Sequence, residues 1–479
     1  MNTTSRIDNL SGNPEWPADE PASADFSLQV DAMPVLVHQA RVSAMPYNRG
    51  YPGYQRSLDQ TEIASFAAWD MAGPVEVAVT SSCPIERLAI RPYSAGIVPR
   101  IDAQTIRFRL DRPRYLTVEV NGMHRALHLL PSPPLQETPD PRAADVRYFG
   151  PGIHDAGTIE MASGQTVFLA PGAVVYGAIR ATGAQRIRIL GRGILDISRF
   201  DRKEAWGGIS LQGCRDVQID GIIIRDPNLY GIVTTSCRDV RISSVKLVGL
   251  WRYNSDGIDL LNCQDVTVRD CFVRSFDDSI VIKGCHGWHS YVNAQESVRN
   301  ILVERCVVWN DWGRSLEIGA ETVADEMADI TFRDCDLIHN THIAMDIQNV
   351  DRAMVRNVLY EDIRVEMDDE GSRPLIQPDD ATPYDRAANT PYAPSLLVLE
   401  VVGKSVWAHD TERGNIRSIR VRNIDVRGPG RLRCKVTGLD EAHRVEDVSI
   451  SGLRLDGRDV KPEELAMKTN EFTRDIRIS

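Results

Sequence analysis

The 479-residue chain is 42% hydrophobic and 25% charged, which excludes a disordered or collagen-like polymer. Its net charge of −12, with arginines scattered among acids, speaks against nucleic acid as a partner, since neutralising phosphates takes a basic face. The same charge disfavours a polyanionic substrate.

In chain order, the opening "MNTTSRIDNLSGNPEWPADEPASADFS" has no basic segment followed by an apolar stretch, and no run of eighteen apolar residues occurs anywhere. The expectation is a soluble, cytoplasmic protein with no membrane partner, or a secreted or periplasmic one if a leader has been removed. Residues 1–24 read as a flexible segment. Residues 25–135 hold "PVLVHQARV", "VEVAVT", "RLAIRP", "TIRFRL" and "LTVEVNG", alternating strands between Gly, Pro and Asp turns. That pattern predicts a small antiparallel β-sandwich. "LLPSPPLQETPDPRAAD" reads as a linker, and residues 136–479 follow a different rule.

From about residue 185 a short phrase recurs, a polar residue followed by apolar, any, apolar. It is anchored at Ile187, Val217, Val240, Val266, Ile301, Ile330, Val358, Ile419 and Val448. Successive anchors lie 30, 23, 26, 35, 29, 28, 61 and 29 residues apart, and a second short strand usually follows each. No segment has a helical period. A coil of a few short strands that cannot bury its apolar face alone, but can stack on a copy of itself, predicts a parallel β-solenoid.

The nine cysteines, without a CxxC pair, fit this picture as free thiols rather than disulfides or a zinc site. Cys214, Cys237 and Cys263 each stand three residues before an anchor, and Cys271, Cys306 and Cys335 five after one, as ladders of small interior groups. The 61-residue gap holds a Pro-rich acidic stretch, about 367–394, read as an inserted surface loop.

Within the repeat, "WRYNSDGIDLLNCQDVTVRDCFVRSFDDSIVIKG" places Asp256 in a Gly-bounded turn and Asp277 and Asp278 about one coil later. Equivalent positions of adjacent coils lie ~4.8 Å apart, so Asp256 and Asp277 are expected to stack, with Asp278 beside them. Carboxyls this close cannot all ionise freely, and one pKa rises. A raised acid beside ionised carboxylates suits glycosidic cleavage, where one group protonates the leaving oxygen and another activates water. A solvated acidic turn or a Ca²⁺ site would also account for the spacing.

"NSDGIDL" followed by "DDSIVIKG" resembles the "NTDG" and "DD" motifs of the polygalacturonases, glycoside hydrolase family 28, right-handed parallel β-helices. The chain is similar also to the dextranases and isopullulanases of family 49, which carry a β-sandwich ahead of the helix. The likeness covers roughly residues 145–460, more weakly 25–135. It implies Asp277 as general acid, Asp256 and Asp278 as the pair that holds and deprotonates water, inversion at the anomeric carbon, and no metal or cofactor. Two departures stand out. "GRSLEIG" puts Arg314 and Ser315 where polygalacturonases have His and the second Gly of Gly-His-Gly, and "AMDIQN" puts Asp346 and Gln348 where they have the Arg and Lys that grip a uronate. An aspartate has the wrong charge for a uronate, so a neutral or modestly substituted glycan is expected.

Further substrate-binding candidates are Lys283, Arg314 and Glu317 next to the acids, the aromatics Trp251, Tyr253, Trp288 and Trp312, and His289 in the "CHGWHSYVNAQES" insertion. Indole faces stack on sugar rings, and Lys283 would lower the pKa of nearby aspartates. Three functions stay open: a glycoside hydrolase acting on an oligo- or polysaccharide, a transglycosylase or lyase on the same fold, and a non-catalytic glycan-binding solenoid. Oligomeric state is left open.

Overall fold

The structure is a computed structural model that describes residues 14–44, 48–50, 58–202, 204–285, 297–367, 375–376, 394–428 and 431–479. Two five-stranded sheets come first. One runs in the order Met33–Val35, Phe26–Val30, Val75–Ser81, Thr105–Leu110, Arg100–Asp102. The other runs His38–Ser43, Thr61–Asp70, Leu127–Ser132, Leu116–Val120, Leu88–Arg91. Alternating side chains of both, such as Leu28, Val77 and Phe108 from the first and Trp69, Leu116 and Leu127 from the second, share one core. Pairing departs from the expected antiparallel pattern once: Leu127–Ser132 lies parallel to Thr61–Asp70. The chain visits the other sheet between these two strands, so it can return in the same direction.

From Val146–Phe149 to Thr473–Ile478 the chain winds into a right-handed parallel β-helix, a continuous network of thirty strands. The recurring phrase has a backbone cause. The polar residue before each anchor is bent into the left-handed region, with φ of 55° at Asp216 and Asp239, 54° at Asn357, 56° at Asn300 and 57° at Asp265 and Asp329. Asp and Asn tolerate that conformation better than other side chains with a Cβ. The bend turns the chain, and the next residue points inward: Val217, Val240, Val266, Ile301, Ile330 and Val358 are in register on successive coils and buried. A second set of corners, at Ser244, Asp270, Arg305, Asp334 and Asp362, uses the same device.

All nine cysteines are free, and all but Cys83 are buried. The expected ladder forms where the Cys214 backbone N–H donates to Cys237 Sγ at 3.4 Å. Of the insertion at 367–394, the described strand Leu375–Ile376 pairs in parallel with Asn48–Gly50 of the earlier region.

The second small sheet turns its outer face to the helix. Phe66 and Leu130 pack there with Ile223, Val248, Phe272 and Trp309. Polar pairs are buried in the same junction. Arg91 lies 3.1 Å from Glu119 and 2.6 Å from Glu366, and His339 Nε2 is 2.6 Å from Glu119. Burying charges this way is tolerable only because each finds a partner.

Candidate active site

One stack of strands forms the floor of a cleft: Ile232–Thr235, Ile258–Leu261, Ile280–Gly284, Arg314–Thr322 and Ile343–Asn349. Their inward residues, Ile232, Ile258, Ile280, Leu316 and Met345, are aligned and buried. The residues just before each strand make one rim. Because Ile258 pairs with Ile280, Asp256 falls opposite Asp278 and not Asp277 as the 21-residue spacing predicted. The Gly257 N–H donates to the Asp278 carbonyl at 2.8 Å, and the Asp277 N–H reaches the Ser255 carbonyl at 3.4 Å. The repeat here is one residue longer than the reading assumed, and Arg314 stands next in the Asp256–Asp278 column.

The turn carrying Asp277 and Asp278 is held from behind. Asn310, buried, places Nδ2 within 2.7 Å of the Asp277 carbonyl, 2.9 Å of Ser279 Oγ and 3.1 Å of the Arg314 carbonyl. Ser275 Oγ donates to the same Asp277 carbonyl at 2.7 Å. Asp277 is left half-buried and facing a cavity of about 350 Å³. Trp206, Tyr230, Tyr253, Asn254, Asp256, Asp278, Lys283, Trp312, Arg314, Glu321 and Trp407 also line it.

Two cations organise the acids. Lys283 Nζ lies 3.2 Å from Asp256 Oδ2, 3.4 Å from Asp259 Oδ1 and 3.9 Å from both Asp278 Oδ2 and Glu321 Oε2. Arg314 lies 3.4 Å from Asp346 Oδ2, 3.6 Å from Asp278 Oδ1 and 3.8 Å from Glu317 Oε1. Seven carboxyls therefore crowd two cations once Asp277 is included, and they cannot all carry charge.

The protons divide by environment. Asp277 is pushed well above the usual carboxylate range, first by burial and then by the Asp278 and Asp256 charges. Asp256 is raised as well, by burial and by Asp259. For Asp278 burial works in the same direction, but Arg314 and then Lys283 overcome it and hold the group below its ordinary value. Burial also lifts Asp259 and Asp346 to about 7 and Glu317 well above its usual range. Lys283 stays protonated: burial opposes its charge, yet Asp256, Glu321 and Asp259 outweigh that.

Several predicted residues are placed differently from the expectation. Glu317 and Asp346 are in register with each other, fully buried under Arg314, so they steady that side chain and do not line the cavity. Gln348 accepts from Arg314 Nη2 at 3.5 Å. Trp251 is 3% exposed with its indole N–H donating to Asp226 at 2.7 Å, so it offers no face to a ligand. Trp288 and His289 lie outside the described residues. Tyr253, Trp312, Lys283 and Arg314 do line the cleft.

Asp259, Glu321, Asn310 and Trp407 were missed. Strand alternation in "GIDLL" could have flagged Asp259, since Ile258 and Leu260 point inward. Nothing local marks Trp407, which reaches the cleft from a loop two coils beyond Arg314–Thr322. Among the described residues no group of His, Cys, Asp and Glu has a geometry that would hold a metal.

The sequence pattern of Glycosyl hydrolases family 28 matches residues 196–377, a stretch that contains all five floor strands of the cleft. No curated protein matches the chain by sequence. Among solved structures, Dex49A from Penicillium minioluteum is similar over 99% of this chain and 96% of its own, with a TM-score of 0.67 and 16% identity, a likeness of fold. A hyperthermoactive exopolygalacturonase from Thermotoga maritima matches over 70% of this chain and 84% of its own, with a TM-score of 0.49 and 15% identity. The family match thus falls on the central coils, and those coils carry the carboxylates of the cleft, an arrangement similar to that of a glycoside hydrolase.

Proposed function

We propose that the chain hydrolyses a neutral or modestly substituted glycan with inversion at the anomeric carbon. Asp277 protonates the glycosidic oxygen, Asp278 takes the proton of the attacking water, and Asp256 helps to hold that water. The observation that carries the reading is the contrast between two sequence neighbours. Asp278 lies within 3.6 Å of Arg314 and 3.9 Å of Lys283, which keep it ionised, whereas Asp277 faces the cavity with its proton retained by burial and by Asp278 itself. Two carboxyls with pKa values driven apart are what acid–base cleavage needs.

Substrate class follows from charge. Lys283 and Arg314 are both engaged by protein carboxylates, so a uronate entering here would meet anions and no uncommitted cation among the described cleft residues. Hydroxyl groups suit such a surface. Lyase chemistry is disfavoured by the same arrangement, because a neutral lysine base is what the carboxylates around Lys283 prevent.

The test is Asp277→Asn in the full chain, assayed by NMR of the anomeric protons on neutral and acidic oligosaccharides. The expected loss of kcat is about 10²–10⁴-fold with binding nearly unchanged. Unaltered turnover would remove the acid role, and product of retained configuration would remove the water-activating roles of Asp278 and Asp256.

A further inference from the structure

The cleft has a second wall, made by segments that follow the floor strands. Glu321, near the end of Arg314–Thr322, belongs to it, and so does Trp407 from the connection between Ser395–Val401 and Asn415–Arg427. Trp407 is 41% exposed and its neighbour Val406 is 89% exposed, an apolar surface presented at the edge of a cavity that holds both carboxylates and aromatic rings. Leaving it uncovered has an energetic cost that a ligand would remove.

The connection is braced. Asp351, fully buried, accepts the N–H groups of His409 at 2.7 Å and Asp410 at 2.8 Å on one oxygen, and the N–H of Thr322 at 2.9 Å on the other. One carboxylate thus ties the Trp407 connection to the strand that carries Arg314 and Glu321. Arg413 adds bonds to the carbonyls of Asp410 at 2.8 Å and Val402 at 3.1 Å. A connection braced this way fixes the backbone that carries Trp407, whose N–H donates to Ser405 Oγ at 3.1 Å, so less conformational entropy is lost on binding.

We propose that Trp407 is a sugar-binding subsite, whose indole face carries a pyranose ring of a neutral glycan at least one unit away from the bond that is cut. Asp277 stands on the opposite rim, before Ile280–Gly284. Ser395–Val401, the strand that leads to Trp407, lies three coils along the helix from Ile280–Gly284, on the order of 14 Å at ~4.8 Å per coil, further than the width of a single sugar ring. The substrate it selects is therefore a chain and not a single glycoside. An aromatic face recognises the apolar C–H side of a sugar and gives nothing to a carboxylate, in keeping with the acidic cleft below it.

This inference rests on the neutral-glycan reading above, and the experiment separates the two. Full-length Asp277→Asn protein is titrated, by calorimetry, with ladders of neutral gluco-, galacto- and xylo-oligosaccharides of increasing length, alone and combined with Trp407→Ala or Trp407→Phe. The expected result is about a tenfold weakening by Trp407→Ala for the longer members of the ladder that binds, no change for the shortest, and substantial recovery in Trp407→Phe. Equal affinities at every length with and without Trp407 would overturn the subsite while leaving the hydrolase reading intact, and would assign the exposed indole to something other than glycan. Failure of every neutral ladder to bind, with acidic oligosaccharides binding instead, would overturn the substrate class and the subsite together.

Discussion

Asp278 stands one coil from Asp256 in the same column, and Lys283 Nζ bridges their carboxylates, 3.2 Å from Asp256 Oδ2 and 3.9 Å from Asp278 Oδ2. The ammonium favours the ionised form of Asp278, so its removal must favour the protonated form. Lys283→Gln is expected to move the acid limb of the kcat/KM profile upward by about one pH unit or more. A pH–rate series on the variant checks this, and an unmoved acid limb would show that Asp278 is not the titrating base.

Crowded acids also set a stability dependence. Asp259 and Asp346 hold their protons up to about 7 in the folded protein, against an ordinary aspartate value of 3.8. A raised folded-state value means stability that is fully present below pH ~4 and is lost as pH climbs through ~7. Asp259→Asn, which cannot ionise, is expected to raise Tm by roughly 2–4 °C at pH 8 and to change it little at pH 5. Thermal melts at the two pH values decide it.

Gly313 leaves no room behind the turn that carries Asp277 and Asp278. A Cβ there would lie 2.6 Å from the Asp277 carbonyl carbon and 2.7 Å from both Asp278 N and Asp278 Oδ1. Gly313→Ala must displace the two aspartates, and a shift on the order of 1 Å costs about 10²-fold in rate. Steady-state kinetics beside a circular dichroism spectrum should show kcat falling with the fold retained.

At the junction of the small sheets and the helix, Glu366 is bound by Arg91 at 2.6 Å and by the Tyr93 N–H at 2.6 Å. Removing Glu366 takes one of two carboxylates from buried Arg91, which keeps Glu119 at 3.1 Å. Glu366→Ala is expected to destabilise the protein by about 1–3 kcal/mol, read by urea denaturation, with Glu366→Gln milder because its amide still fills the space.

Much of this was legible in the sequence because the solenoid repeats itself. The anchors Val217, Val240 and Val266 recur for the same reason that Asp216, Asp239 and Asp265 precede them, a bend that favours Asp followed by an inward apolar side chain. The acids could be picked out, but their pairing could not, since one residue of coil length decides whether Asp277 or Asp278 faces Asp256. Trp251 and Asp346 misled in a different way. Both belong to the right coils, yet the first is bound to Asp226 and the second lies beneath Arg314, and burial on that scale is a property of packing and not of spacing. Trp407 left no trace, because loop conformation brings it to the cleft.

The bracing of the Trp407 connection by Asp351 divides labour between separate lengths of chain. The acids proposed to break the bond stand on the stacked coils, where a change in one layer disturbs the next, while the indole hangs from a connection outside those strands. On the proposed reading, exchanging that connection alone would change which glycan is gripped and leave the acids in place.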